Sequence, residues 1–143
     1  MARFETHVGA SPARVWAVLA DGHAYSRWVP GTQRIRRVEG PWPQPGSVLH
    51  YSAGAGPLSH DGHTEALECE EGRRLVMEAH AWPLGTALIA IELSGDGTGT
   101  RVRIDEHPER GPGGRLHNPL TDGLLWLRGQ LMLRRLRGLV GRG

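Results

Sequence analysis

Cysteine is almost absent from this chain, with Cys69 the only one among 143 residues. A single cysteine excludes an internal disulfide and a zinc site built from several thiolates. The acids around it in "EALECEE" are expected to raise its pKa and keep the thiol protonated. No run of eighteen apolar residues is available for a membrane-spanning helix, and the first residues lack the apolar stretch of a signal peptide. These absences predict a cytoplasmic protein without a membrane span.

Lysine is missing altogether, so all 17 basic residues are arginines. They are scattered in ones and twos and do not form a broad basic face with interleaved aromatic residues, so we expect no nucleic-acid partner. The sequence also lacks a glycine-rich phosphate loop, a nucleophile elbow and a dinucleotide fingerprint. We therefore expect no cofactor.

Two helical signals follow a short first strand at residues 4–8. In "SPARVWAVLADG", Ser11 is placed as an N-cap, Pro12 occupies the first helical position, and the apolar residues recur at helical spacing. "HAYSRWVPG" predicts a second, short helix that ends before Pro30, because the residue before a proline disfavours helical geometry.

From residue 33 onward the pattern changes to strands. Short turn signals separate six segments: "QRIRRVEG", "SVLHYSA", "HTEALECE", "RLVMEAHAW", "TALIAIELS" and "TRVRIDEH". The spacers are too short for crossover helices, so neighbouring strands should pair antiparallel. A long helix from about residue 118 to 139 follows. This order predicts one α+β domain over residues 1–143.

The final helix carries more than one apolar face. One face is marked at positions i, i+4, i+7 and i+11 by Leu120, Leu124, Leu127 and Leu131. A second face is marked by Leu125, Met132, Leu136 and Leu139. The first half of the helix is therefore expected to be buried on several sides, while its arginine-rich second half should be wetter. Gly129 inside the helix indicates either close contact with the sheet or space for a bound molecule.

Four motifs, "SPARVWAVLADGHAYSRWVPG", "VEGPWPQPGS", "GRRLVMEAHAWPLG" and "GTGTRVRIDEHP", occur in an order that resembles the START-like (SRPBCC) superfamily, in particular its polyketide cyclase/dehydrase-type group. The resemblance implies a helix-grip fold, in which a curved antiparallel sheet of about seven strands wraps around the long C-terminal helix. It also implies a cavity between sheet and helix that holds lipids, sterols, polyketides or other apolar molecules. No catalytic motif is shared across the superfamily, so the resemblance carries over no catalytic residue.

Strand periodicity selects side chains for such a cavity, because alternate residues face the same side. In "TRVRIDEH", Ile104 and Glu106 are expected to face inward; Glu106 is either a functional acid or a strand-end carboxylate that reaches water or an arginine. In "SVLHYSA", either His50 or Tyr51 faces the cavity, where each could donate a hydrogen bond to a ligand carbonyl. His50, Tyr51 and Glu106 are thus the candidate catalytic residues.

Three other segments contribute further predicted cavity residues. Met77 and Ala79 lie on the apolar face of "RLVMEAHAW", which leaves Glu78 and His80 on the surface. Trp28, on the second short helix, is either part of a lid or part of the core. The final helix is expected to contribute Leu124, Leu127 and Leu131.

The segment "SHDGHTE" concentrates two histidines and two carboxylates in seven residues. Asp61-Gly62 predicts a turn or a bulge. His60 and His63 would face opposite sides of a regular strand and could share a metal only if a bulge turned one of them back, so we expect no metal site. His63 and Glu65 share the parity of Leu67. If that parity is the inner one, both contribute a polar wall to the cavity.

Three functions are compatible with these residues. The leading hypothesis is a protein that binds a small hydrophobic or aromatic molecule, lipid-like or polyketide-like, between the sheet and the final helix. The alternative is a cofactor-independent polyketide aromatase/cyclase or dehydratase that uses polar cavity residues. A third is a stress- or chaperone-related interaction module whose exposed patch includes Trp82. The expected partner is the small ligand, and the protein is expected to be a monomer or a homodimer.

Overall fold

The computed structural model describes residues 2–54, 57, 59–81, 85–110 and 119–142. The elements are, in order, β1 (Ala2–Val8), α1 (Pro12–Leu19), a 3-10 turn (Gly22–Ala24), α2 (Tyr25–Trp28), β2 (Thr32–Glu39), β3 (Val48–Ala53), β4 (His60–Glu70), β5 (Arg74–Ala81), β6 (Gly85–Gly95), β7 (Thr100–Arg110) and α3 (Pro119–Arg142).

The strands form one seven-stranded antiparallel sheet in the order β1-β7-β6-β5-β4-β3-β2. The two edge strands are therefore β1 and β2. Helix α3 contacts β1, α1 and α2, so one face of the sheet is covered by helices. The predicted α+β helix-grip fold is confirmed. None of the described helices is both long enough and apolar enough to cross a membrane.

The first helix forms for the local reasons that its sequence indicates. The Ser11 side chain accepts a hydrogen bond from the Arg14 N–H at 3.3 Å, and Pro12 opens the helix. Gly22, three residues past Leu19, opens the 3-10 turn. A Cβ at Gly22 would lie 2.8 Å from Leu49 Cδ2, so this glycine allows the turn to pack directly on the sheet.

The predicted turn at Asp61-Gly62 is wrong, because β4 begins at His60 and carries both residues inside the strand. Gly62 pairs with Tyr51 across the ladder. A Cβ on Gly62 would lie 2.6 Å from Tyr51 Cε1. The aromatic ring of the neighbouring strand therefore requires glycine at position 62. Asp61-Gly62 does not form a turn.

Over the side chains that the structure describes, 126–141, helix α3 packs through a single face. Its buried residues are Gly129, Met132, Leu133, Leu136 and Val140. A Cβ at Gly129 would overlap the Phe4 ring, so this ring of β1 sits against the bare helix backbone. Close contact between helix and sheet is therefore the reason for this glycine.

Candidate functional site

The inner face of β3 and β4 carries polar side chains within an otherwise apolar core. Along β3, Leu49, Tyr51 and Ala53 are buried and the residues between them are only half-buried. On β4 the buried positions are Gly62, Thr64 and Ala66. Because Gly62 has no side chain, the Tyr51 ring can lie across β4, which brings its hydroxyl to Thr64.

A hydroxyl cluster, formed by Tyr25, Tyr51 and Thr64, lies at this point. The Thr64 Oγ1 atom is 2.9 Å from the Tyr25 Oη and 2.8 Å from the Tyr51 Oη. The two phenol rings stack with centroids 5.5 Å apart and planes inclined by 25°. Three hydroxyl groups carry three hydrogens and these two hydrogen bonds use two of them. The third hydrogen lies between the two phenols, which also interact with each other, and a ligand oxygen would compete for it.

Both phenols in the cluster stay protonated at neutral pH. Burial raises the pKa of Tyr25 well above its ordinary value, and the neighbouring Tyr51 adds to that rise. Burial likewise raises the pKa of Tyr51, against the opposing effects of Thr64, Tyr25 and Arg128. The cluster therefore offers neutral O–H donors and no phenolate.

Trp28 supplies another donor beside the cluster. Its side chain is buried, and its ring meets that of Tyr25 edge-on with centroids 5.5 Å apart. The Nε1–H has no hydrogen-bond partner among the described residues. Leaving a buried donor unpaired costs about 1–3 kcal/mol, and buried polar groups in folded proteins are rarely left in this state.

An ion pair joins α3 to β7 at the inner face of the sheet. Arg128 Nη1 of α3 lies 2.7 Å from Glu106 Oε1 and 2.9 Å from its Oε2. The Glu106 side chain is 5% exposed and that of Arg128 31%. The guanidinium therefore compensates a buried carboxylate while its own outer edge remains in solvent.

A family model described as polyketide cyclase / dehydrase and lipid transport matches residues 1–141. The chain belongs to this family. No curated protein matches the sequence.

Solved structures of other proteins show the same fold. Protein NE0264 from Nitrosomonas europaea is 18% identical, with a TM-score of 0.75 over 99% of this chain and 94% of its own. Ara h 8.0201 is 12% identical, with a TM-score of 0.73 over 99% and 96%. DynU16, a protein in the dynemicin biosynthetic locus, is 18% identical, with a TM-score of 0.72 over 98% of this chain and 46% of its own. At these identities the likeness shows the fold alone.

Within this family fold, several predicted cavity residues do face the interior. Trp28, Met77, Ile104 and Glu106 are buried, and Tyr51 is the inward residue of the pair that includes His50. Ala79 has the inward parity of Met77 and stays partly exposed. Their role in ligand binding stays a prediction.

His50, the other candidate for the cavity-facing position on β3, does not face inward, and its assignment to the cavity is wrong. It lies on the outer face of β3, where its Nε2 is 3.0 Å from Glu39 Oε1 and 3.2 Å from an Arg37 Nη2. The reason is the pleat: Tyr51 takes the inner position, so its neighbour in the strand must face outward.

His63 and Glu65 also lie on the outer face, contrary to prediction, because the buried residues between and beside them are Gly62, Thr64 and Ala66. Leu67 misled the assignment: it is exposed and unpaired at a β-bulge, where the register jumps from Ala66 to Glu68. An apolar residue at a bulge therefore does not indicate which residues of the strand face inward.

On α3, the prediction that Leu127 and Leu131 line the cavity is wrong. Both are exposed, because the helix rests on the face that carries Gly129 and Leu136. The side chain of Leu124 lies outside the described residues, as does Trp82. Two of the four leucines at i, i+4, i+7 and i+11 thus mark a surface.

Thr64 and Arg128 were missed by sequence reasoning. Thr64 alternates with the small residues Gly62 and Ala66. Such a run of small residues indicates that large side chains of neighbouring elements lie across this face of the strand. Arg128 is the first arginine of the final helix and lies one residue before Gly129, which packs on Phe4. Neither signal identifies a partner, because both partners are distant in the chain.

Among the described residues, no group of three or more His, Cys, Asp and Glu side chains is arranged to hold a metal ion. Burial raises the pKa of the Cys69 thiol, and the nearby Glu71 raises it further. Cys69 is therefore a protonated thiol, in keeping with the structural role that its acidic neighbours predict.

Proposed function

We propose that the protein binds a small, uncharged, apolar or aromatic molecule with an acceptor oxygen between the sheet and α3. The observation that carries the proposal is the unpaired Trp28 Nε1–H beside the hydroxyl cluster, in an otherwise apolar core. A ligand carbonyl would accept from these donors and remove the cost of an unpaired buried group. Apolar burial would supply the rest of the affinity, at about 25 cal/mol per Å² of ligand surface.

Small side chains on the inner face support a ligand beneath the helix. Ala66, Ala79 and Ala87 occupy inward positions of three successive strands, and Ala79 pairs directly with Ala87. Ala79 and Ala87 remain partly exposed. These side chains are among the smallest on the inner face, and solvent reaches Ala79 and Ala87.

The charges favour a neutral ligand over a carboxylate. Glu106 is the one charged residue among the described buried side chains, and it already takes the Arg128 guanidinium. A ligand carboxylate would find no free cation in the described interior and would face Glu106. Burying an uncompensated charge is costly, so a ketone, lactone or amide fits better than a fatty acid.

The test is a fluorescence titration with prodan, an uncharged naphthyl ketone whose emission reports the polarity of its surroundings. Dimethylaminonaphthalene, which lacks the ketone, and a naphthalene carboxylate serve as competitors. Prodan should bind with blue-shifted emission, and both competitors should displace it poorly. Absence of binding, or better displacement by the carboxylate, would contradict the proposal.

Two matched variants separate the donor from general packing. Trp28→Phe removes the N–H and keeps an aromatic ring, so we expect about fivefold weaker prodan binding, the value of a hydrogen bond of about 1 kcal/mol. Trp16→Phe, at another buried tryptophan, should leave prodan binding unchanged. Equal losses in the two variants would mean that the Trp28 N–H makes no contact with the ketone.

The second candidate function is a cyclase or dehydratase that acts on a polyketide-like substrate. It is favoured by Tyr51 and Glu106, which both face the interior, and by Arg128, whose charge acts on the Tyr51 phenol. His50 and Glu65, which are on the outer face, take no part. Turnover of a poly-β-keto thioester mimic, followed by mass spectrometry and lost in Tyr51→Phe, would establish it; unchanged turnover in Glu106→Ala and Tyr51→Phe would exclude it.

A further inference from the structure

Three large apolar side chains of α3 are turned away from the core. Trp126 is 56% exposed, Leu127 59% and Leu131 38%. Leu127 lies on the side of the helix opposite Leu136, which is fully buried. Leu127 and Leu131, one turn apart, share this side, and Trp126 lies at its flank. Exposed apolar side chains of this size mark a candidate contact surface.

Arginines continue this surface toward the end of the helix. A groove of about 480 Å³ runs between α3 and β1, with Leu127 and Leu131 on its wall beside Arg134 and Arg137. A second groove of about 450 Å³ is lined by the same two arginines and by Arg14 of α1. No described residue lining either groove is acidic.

The guanidinium groups of this surface are available to a partner. Neither Arg134 nor Arg137 forms an ion pair with a described residue, and both are exposed. Arg14 donates to the Val140 carbonyl at 3.1 Å, which holds it beside them. The charge complement of the surface is therefore an anionic group such as a phosphate.

We propose that this face of α3 docks on the surface of an anionic lipid bilayer. Trp126, Leu127 and Leu131 enter the boundary between headgroups and acyl chains, and Arg134 and Arg137 contact lipid phosphates. A helix with exposed Trp and Leu beside arginines has the composition of an interfacial segment. An acidic protein would match the arginines but would leave the exposed apolar side chains without an apolar medium.

The test is flotation with vesicles of phosphatidylcholine alone and of phosphatidylcholine mixed with phosphatidylglycerol, with no other ligand added. The protein should float with the anionic vesicles, remain behind with the neutral ones, and be released by salt. Because no ligand for the interior is present, the result is independent of prodan binding. Equal binding to both kinds of vesicle, or to neither, would overturn the proposal.

Matched variants test the surface itself. Arg134→Gln with Arg137→Gln should weaken the partition to anionic vesicles by roughly 25-fold, about fivefold for each arginine near the surface. Arg34→Gln with Arg36→Gln, which makes the same charge change on β2 at the other edge of the sheet, should have little effect. Similar losses in both double variants would show that binding depends on net charge and not on this surface.

Leu127→Gln with Leu131→Gln should lower the partition by at least tenfold, since each leucine contributes buried apolar surface. Circular dichroism is the control for folding. Because both positions are exposed, we expect the variants to fold. Retained binding in the leucine variant, or binding of polyglutamate in place of vesicles, would contradict docking on a bilayer. Either result would indicate an acidic protein partner.

Discussion

Strands β3 and β4 carry polar side chains on both of their faces, and the two sets behave differently. Tyr51 and Thr64 face inward and bond to each other and to Tyr25. The next residues along the same strands, His50 and His63, face outward. A shift of one residue in the pleat thus separates a buried hydroxyl cluster from a wet surface.

On the outer face, His50, His63 and His80 form a cross-strand row. The rings of His63 and His80 stack with centroids 4.3 Å apart, and the Nε2 of His80 lies 2.7 Å from Glu78 Oε1. Water and the carboxylates of Glu39 and Glu78 contact this row, whereas the inner cluster depends on fixed partners. We therefore expect substitutions of inner residues to cost far more than matched substitutions of outer ones.

The largest difference is expected between two arginines that pair with glutamates on opposite faces. Arg128→Ala leaves the buried Glu106 carboxylate without its ion-pair partner and should lower the free energy of unfolding by about 3 kcal/mol. Arg74→Ala breaks the more exposed pair with Glu92 on the outer face and should cost about 1 kcal/mol or less. Urea denaturation of both variants at neutral pH is the measurement, and equal losses would erase the contrast.

Removal of the central hydroxyl should come next. Thr64→Val keeps the shape of the side chain but leaves two buried phenol groups without their partner, which we expect to cost about 2 kcal/mol. The control, His63→Gln on the neighbouring outer position, should change stability by less than about 0.5 kcal/mol. A Thr64→Val protein as stable as the His63→Gln protein would show that the cluster is not held by these hydrogen bonds.

A single methyl group on β4 sharpens the comparison further. Gly62→Ala places a Cβ 2.6 Å from Tyr51 Cε1, so the ring must move, at an expected cost of about 1–2 kcal/mol. Gly138→Ala, on the open surface of α3 with no atom within 4 Å of the new Cβ, should instead stabilise by about 0.5–1 kcal/mol. Thermal unfolding of the two variants should shift in opposite directions.

The smallest effect belongs to the outer row and depends on pH. Partial burial lowers the pKa of His63 below its ordinary 6.5, His80 and His50 lower it further, and Glu65 and Glu78 oppose the change. Because the unfolded chain then binds the proton more readily, stability is full above pH 6.5 and falls as the pH drops through the folded-state value. Denaturation at several pH values should show a weaker acid dependence in His63→Gln; an unchanged dependence would assign it to other groups.

Much of the fold was predictable because its causes are local. Ser11 and Pro12 define the start of α1 within four residues of chain, and alternation in "TRVRIDEH" correctly placed Ile104 and Glu106 inside. Antiparallel pairing followed from short connections. One domain over residues 1–143 and the oligomeric state stay predictions.

The site itself could be predicted only in part, because its contacts join distant residues. Tyr25 and Thr64 are 39 positions apart, and Glu106 and Arg128 are 22 apart. Composition and periodicity do not report such pairs. The bulge at Leu67 also interrupted the alternation on which the inward assignment of His63 and Glu65 rested.

The sequence by itself thus determined the order of the elements, the cap of α1 and the parity of regular strands, since each depends on backbone geometry over a few residues. The tertiary structure decided which face of α3 is buried, which glycine makes room for Tyr51, and which hydroxyls meet. Those outcomes depend on how surfaces of separate elements fit together, and the energy of that fit is set by atoms far apart in the chain.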